Sequence, residues 1–141
     1  MIIRRARLSD YEGLIPLLND FVGDDRYSRR NNDSFAKMLR DSRSFVFVAE
    51  EKKKLIGFVT FCVRKVVRYS KPIMEIDEMY VSPDFRRKGV GKSLLKLAEK
   101  KAKELGCRKM FLESHEDRKG AHKFYASMGY EKGGYYFDKM L

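Results

Sequence analysis

Residues 78–95, EMYVSPDFRRKGVGKSLL, constrain this chain more than any other stretch. Met79-Tyr80-Val81 reads as the end of a strand, Ser82-Pro83 stops it, and a helical pattern starts directly after Gly89-Val90-Gly91. Strand, glycine-bearing basic loop and helix N-terminus in that order make a place to hold a polyphosphate. The first amides of a helix have no intrahelical acceptor and carry partial positive charge. Glycines let an anion approach the backbone without meeting a Cβ.

Two phosphate loops are excluded by single residues. Gly91-Lys92-Ser93 resembles the end of a Walker A loop, but the glycine required five residues earlier is Arg86. A dinucleotide fingerprint from Gly89 needs glycine at 94, where Leu94 stands, and should follow the first strand of a βαβ unit. What remains is R-x-x-G-x-G, Arg86 to Gly91, after V-x-P and before an amphipathic helix.

The rest of the chain alternates strand and helix patterns. Residues 1–7 predict a first strand, and Ser9-Asp10 an N-cap for a helix with Tyr11, Leu14, Ile15, Leu17, Leu18, Phe21 and Val22 on its apolar side. Pro16 fits that helix only near its first turn. Residues 23–27 break the pattern, and a second helix runs from Asn32 or Asp33 to Arg40, with Phe35, Met38 and Leu39 inward. Residues 44–64 read as an antiparallel hairpin turning at Glu51–Lys54, and Ile73–Val81 as a third sheet strand. The next helix ends at Gly106 and buries Leu94, Leu95, Ala98, Ala102 and Leu105. A strand over Arg108–Glu113 follows, then a short helix through Ala121, Phe124, Tyr125 and Met128, capped by Gly129. Tyr130 and Tyr135–Leu141 predict one or two closing strands. This order, β-α-α-β-β-β-α-β-α-β, predicts an α/β fold: a mixed sheet covered by helices, in one domain over 1–141.

With 31 Lys and Arg against 20 Asp and Glu, the formal charge is +11. Such a balance attracts anions: nucleic acid, acidic membrane or a phosphorylated small molecule. A lysine-rich solvated surface explains it equally well. The basic residues are spread along the chain, and neither a basic tail nor a zinc-finger or RNP-type motif accompanies them, so nucleic acid is not the expected partner. No apolar run reaches transmembrane length, and charges occupy MIIRRARLSD where a signal peptide needs an apolar segment. A cytoplasmic protein without a membrane partner is expected. Cys62 and Cys107 form no C-x-x-C pair and read as buried, reduced, structural thiols. Only His115 and His122 could join them, without metal-ligand spacing, so no metal site is predicted.

R-x-x-G-x-G, the V-x-P before it and the downstream A-x-x-F-Y-x-x-x-G-Y, Ala121 to Tyr130, together resemble the GNAT family of acetyl-CoA-dependent N-acetyltransferases. The resemblance covers nearly the whole chain and is most specific over 73–130. It implies the GNAT fold, a mostly antiparallel twisted sheet flanked by helices, and acetyl-CoA as cosubstrate. Arg86, Arg87, Lys88, Gly89, Val90, Gly91 and Lys92 would wrap the pyrophosphate with backbone amides. Met79, Tyr80 and Val81 would pair with the pantetheine arm, and an amide at Met79 or a neighbour would polarise the thioester carbonyl. The family splays this strand from the next, Arg108–Glu113, to admit the cofactor. Tyr125 would bind near the departing thiolate and protonate it, although a Tyr on this apolar helix face also suits core packing.

One position departs from the family pattern. Arg118 stands three residues before Ala121, where Asn is usual. The text R-x-x-A-H-x-F-Y, with the ending F-x-K-x-L over Phe137–Leu141, resembles small-molecule acetyltransferases of the aminoalkylphosphonate type. Arg118 would contact cofactor or substrate, or stand as a solvated helix-start residue.

An alkylamine with a pKa near ~10 must lose a proton before it attacks, and a carboxylate can take it directly or through water. The resemblance nominates Glu78 first, then Glu113, then Asp77; His115 is a further candidate. Alternation along the strand puts Glu75 and Asp77 on one face and Ile76 and Glu78 on the other, unless a bulge near Met79 alters the parity. The implied reaction is direct transfer in a ternary complex to a small-molecule primary amine held between the first helices, with Asp24, Asp25, Arg26 and Tyr27, and strand 73–81. The competing readings are a protein acetyltransferase acting on Lys or an N-terminus, and a non-catalytic module that senses CoA or binds nucleic acid. Relatives are often homodimers, so a homodimer is also an expectation.

Overall fold

The computed structural model describes residues 1–26 and 31–141. Tyr27, expected beside the acceptor, lies outside the described residues. Strand β1 (Ile2–Arg5) is followed by a 3₁₀ turn (Leu8–Asp10), helices α1 (Tyr11–Val22) and α2 (Asn32–Arg40), and strands β2 (Ser44–Glu51), β3 (Lys54–Arg64) and β4 (Ile73–Val81). Then come α3 (Val90–Glu104), β5 (Met110–Leu112) and α4 (Lys119–Ser127). The sheet runs β1-β2-β3-β4-β5, with antiparallel pairing from β1 to β4. This is the mixed, mostly antiparallel α/β architecture expected. The chain forms two compact units, Met1–Phe111 and Leu112–Leu141.

The start of the chain is organised by charge as well as by apolar spacing. Asp10 does not cap α1 with its side chain. Its carboxylate instead accepts from the Arg7 amide at 2.7 Å and from both Arg4 Nη atoms at 2.8 Å, while Arg4 also reaches Glu50 on β2. The Arg4 guanidinium holds the Asp10 carboxyl below its ordinary pKa and ties β1, the 3₁₀ turn and β2 together. Pro16 lies inside α1 rather than in its first turn. Burial of Tyr11, Leu14 and Leu17 on the flanking turns offsets the donor that proline removes.

The pairing of β3 with β4 decides where the acidic side chains point. Cys62 pairs with Glu75 and Phe61 with Ile76, but Thr60 pairs with Glu78, so Asp77 is the extra residue of a bulge. Strict alternation, which puts Ile76 and Glu78 on one face, therefore fails. Paired residues share a face, and Phe61 and Thr60 are neighbours on opposite faces. Glu78 is thus rotated to the side of Thr60, Phe58 and Cys62, which Glu75 and Asp77 also share. That is the side covered by α1 and α2, whose Tyr11, Leu14, Leu17 and Phe35 form a core cluster with Val46, Val48 and Phe58. Gly57, opposite Val81, admits the close approach of the two strands; a Cβ there would meet the Tyr80 carbonyl at 2.9 Å.

Helix α3 buries Val90, Leu94, Leu95, Ala98 and Ala102. Leu105, expected on that stripe, is exposed. It is the C-cap residue, already off the helical path, and Gly106 follows it at φ 71°. Hydrogen bonds from Arg108 N to Pro72 O and from Met74 N to Lys109 O join the segment entering β5 to the beginning of β4.

In the second unit α4 takes the predicted place, and Gly129 follows it at φ 90°. The closing strands predicted over Tyr130 and Tyr135–Leu141 do not form: residues 130–141 carry no secondary structure. Tyr135, Phe137 and Met140 are exposed. A run of aromatic residues gives a strand only where a neighbouring edge takes its backbone hydrogen bonds.

Candidate active site

The loop between β4 and α3 has the conformation its glycines imply. Gly89 is the N-cap of α3 at φ 82°, and nothing lies within 4 Å of a Cβ built there. Arg87 is also left-handed, at φ 59°. The first intrahelical bond runs from Ser93 N to Gly89 O at 3.0 Å, so the amides of Val90, Gly91 and Lys92 precede it and face the open end of a 15-residue helix. Arg87, Lys88 and Lys92 extend exposed cations around this end. Arg86 is used differently. Its Nε donates to Val81 O at 2.8 Å and its guanidinium lies over the Tyr80 ring, which fastens the loop to the strand end. A diphosphate fits this loop: open backbone, oriented amides and surplus positive charge.

The Tyr80 side chain is structural. Its hydroxyl bonds Asp20 on α1, and its ring packs on Phe21 and Phe58. Met79 and Val81 are half-buried and pair with Val59 and Gly57 on β3.

Glu78 lies at the edge of a cavity of about 220 Å³. Helix α1 supplies Tyr11, Leu14 and Leu18 to its wall, and α2 supplies Phe35 and Met38. Val46 and Phe58 form the sheet side, with Asn31 and Ser34 as polar lining on the α2 side. Thr60 Oγ1 donates to Glu78 Oε1 across 3.5 Å. Burial, and then the neighbouring Asp77 charge, raise the Glu78 carboxyl above its ordinary pKa; the Thr60 hydrogen bond opposes them. A carboxylate in such a place is a ready proton acceptor, because its charged form is poorly solvated. None of the other lining residues carries a motif. Their apolar spacing is that of any core-facing helix or strand, so no wall residue is legible as such, although the place between the first helices and strand 73–81 is the one expected for the acceptor.

Asp77 is exposed, on the same side of the sheet. It meets Cys62 Sγ at 3.9 Å, and Cys62, Glu75 and Asp77 offer ligand atoms within 4.8 Å of one another. The Arg64 guanidinium pairs with the Glu75 carboxylate in this cluster. Cys62 and Cys107 are free and half-buried rather than fully buried, and burial pushes both thiols up.

The second unit holds the remaining candidates. Tyr125 is half-buried on α4, edge-on to Phe124 and Tyr130 at centroid distances of 5.3 and 5.9 Å. Burial raises its phenol above the usual value, and the Arg118 charge partly opposes that. Arg118 is the N-cap residue of α4. Glu113 is exposed just after β5. His115 is exposed and pairs with Asp117, at 3.3 Å. The structure thus places Glu78, Asp77, Met79–Val81 and Arg86–Lys92 in the first unit, and Glu113, Arg118 and Tyr125 in the second.

Comparison with known proteins gives this geometry a setting. Residues 10–130 match the sequence model of the Acetyltransferase (GNAT) family. An aminoalkylphosphonate N-acetyltransferase of Salmonella typhimurium is 26% identical over 99% of this chain and 90% of its own. An uncharacterized N-acetyltransferase of Bacillus subtilis is 29% identical over 94% of this chain and 91% of its own. Among solved structures, an aminoglycoside acetyltransferase from an uncultured soil sample, in complex with sisomicin, superposes with a TM-score of 0.88 at 24% identity, covering 99% of this chain and 95% of that one. An aminoglycoside N-acetyltransferase in complex with CoA superposes at 0.86 and 20% identity, covering 99% and 93%. Among the described residues, no helix is long and apolar enough to cross a membrane.

Proposed function

The chain belongs to the GNAT family and is an acetyltransferase, and on that premise we propose that it moves the acetyl group of acetyl-CoA to the primary amine of a small molecule. The observation that carries the reading is Glu78: a shielded carboxylate at a cavity, on β4 one residue before Met79–Val81, the stretch that leads into the glycine loop. Acceptor, thioester and diphosphate positions then follow one another along 78–92.

In this reading the amides of the Arg87–Lys92 loop and the cations of Arg87, Lys88 and Lys92 hold the diphosphate. The backbone of Met79–Val81 aligns the pantetheine arm, and an amide at Met79 or a neighbour polarises the thioester carbonyl. Glu78 takes the ammonium proton, directly or through water, so that the neutral amine attacks. The carbonyl carbon gains a C–N bond and loses its C–S bond. Tyr125, kept neutral by its raised pKa, gives its proton to the departing thiolate, and the second proton that the nitrogen sheds as the amide forms restores the phenol. No acyl-enzyme is required, and neither raised thiol is activated for one. Asp77 contributes its charge to raising Glu78. Arg118 lowers the Tyr125 pKa and so limits how weak an acid it becomes. Glu113, after β5, stands as the second choice of base. The relatives that act on aminoalkylphosphonates and aminoglycosides support a small-molecule acceptor over a protein one. The protein is expected to work in the cytoplasm, as one functional domain over residues 1–141 and with a homodimer as its expected assembly.

Release of free CoA with a panel of amines and basic peptides is the test. The expected result is turnover with small amines. Glu78→Gln is expected to lower kcat/KM by about 100-fold or more, and Tyr125→Phe to lower kcat, while acetyl-CoA affinity by calorimetry stays nearly unchanged in both. Turnover with peptides alone overturns the acceptor class. An unaltered rate in either variant removes that residue from its role.

A further inference from the structure

We propose that the natural acceptor is a monoamine with an uncharged apolar body, an alkylamine or arylalkylamine, seated in the cavity between α1, α2 and the sheet with its amine at Glu78. This rests on the reading of Glu78 as the proton acceptor.

The argument is one of matching surfaces. The cavity wall is made of aliphatic and aromatic side chains, chiefly Leu14, Leu18, Phe35, Met38 and Phe58. Among the described lining residues Glu78 is the one carboxylate, and none is Lys or Arg. A single ammonium therefore has one counter-charge, and a second ammonium held against the apolar wall would have none among the described lining residues. A phosphonate or phosphate group would enter beside a carboxylate, and no described lining residue is a cation to meet it. Beyond Glu78, a hydroxyl-rich body would find only Tyr11, Asn31, Ser34 and Thr60 as polar partners among the described lining residues, too few for a sugar ring, and each unpaired hydroxyl weakens binding. An apolar body loses nothing there. A dry cavity of about 150 Å³ is enough to hold a benzene ring; at about 220 Å³ this one takes a ring with a short aminoalkyl arm. The Salmonella relative named for aminoalkylphosphonates would then differ from this chain at the acceptor end, in line with their 26% identity.

The experiment is a chain-length series. Acetyl-CoA-dependent turnover is measured for n-alkylamines from ethylamine to octylamine and for phenethylamine, beside aminoethylphosphonate, spermidine and kanamycin. Each methylene buried is worth about fourfold in affinity. The expected result is a kcat/KM that climbs by about that factor per carbon, then levels off when the chain fills the cavity. Ser34→Phe narrows the cavity from an exposed position of α2 that tolerates substitution. It is expected to cut activity with hexylamine and phenethylamine by about tenfold or more while ethylamine is spared. A flat series, or preference for the phosphonate, the polyamine or the aminosugar, overturns the proposal. The failure of this proposal and the failure of the base leave different results. If Glu78→Gln abolishes turnover of every amine but chain length has no effect, the base stands and the apolar acceptor falls. If chain length matters and Glu78→Gln keeps full activity, the cavity reading loses its anchor at Glu78 and falls with it. Calorimetric titration of hexylamine into the wild type reports on the cavity without turnover, and absence of binding overturns the acceptor class.

Discussion

Glu78 carries two opposed demands. Poor solvation of its charged form makes it a better proton acceptor and, by linkage, a cost to the fold. Its folded-state pKa is raised, so the folded protein holds this proton where the unfolded chain has released it. Above the ordinary carboxylate pKa of about 4.3 the charged side chain opposes folding, fully so once the pH exceeds the folded-state value. Glu78→Gln is therefore expected to raise Tm at pH 7–8, with the gain shrinking as pH falls and gone below about 4. In the wild type, kcat/KM should fall on the acid side with an apparent pKa above that of an ordinary carboxylate, and this limb should be missing from the residual activity of the variant. Thermal melts and rate profiles across pH check both. A Tm that falls in Glu78→Gln at neutral pH would mean that Glu78 is held chiefly by the Thr60 bond rather than strained by burial.

At the scale of elements, the loop and helix α3 form one device. Gly89 combines a left-handed φ of 82° with open space at its Cβ position. An Asp there is strained in the backbone by ~1 kcal/mol and aims a carboxylate where the diphosphate would sit. Gly89→Asp is expected to weaken acetyl-CoA binding on the order of tenfold or more, with Tm lowered by a few degrees. Calorimetry and a thermal melt separate the two effects; intact affinity would remove the loop from the cofactor site. This device was legible in the sequence because glycine chemistry is local: a strand end, a left-handed N-cap and a helix start each leave residues of their own. Most elements were legible for the same reason, through period-two and period-3.6 spacing. What the sequence leaves open, such as whether a bulge near Met79 forms and which residues wall the acceptor site, depends on partners distant in the chain. The bulge at Asp77 exists only as a register with β3, and it is what brings Glu78 round to Thr60. The cavity draws on α1, α2, β2, β3 and β4, and its apolar wall residues each read as ordinary core. The ending Tyr135–Leu141 has strand-like residues but no strand, because propensity does not supply an edge.

At the scale of the whole molecule, the formal charge of +11 leaves two accounts of its purpose. In one, the excess is a solvated surface with no particular partner. In the other, part of it draws a polyanionic cosubstrate to the loop at Arg87, Lys88 and Lys92, all exposed. Ionic strength separates them, because it shortens the reach of exposed charges from ~10 Å at 0.1 M to ~3 Å at 1 M. Backbone amides at the start of α3 act at hydrogen-bond distance and are screened far less. If side-chain cations contribute, the KM for acetyl-CoA should climb steadily with salt while kcat holds, since the chemical step uses groups shielded from solvent. The double variant Arg87→Gln, Lys88→Gln should then start from a higher KM and respond less steeply to salt, with its kcat unchanged. Arg86 should not be interchangeable with these two, because its guanidinium is occupied by Val81 O and the Tyr80 ring; its loss loosens the strand end and lowers kcat as well. Steady-state kinetics across ionic strength, on the wild type and both variants, gives all three readouts. A KM indifferent to salt would assign the diphosphate to the backbone alone and the basic excess to the solvated surface.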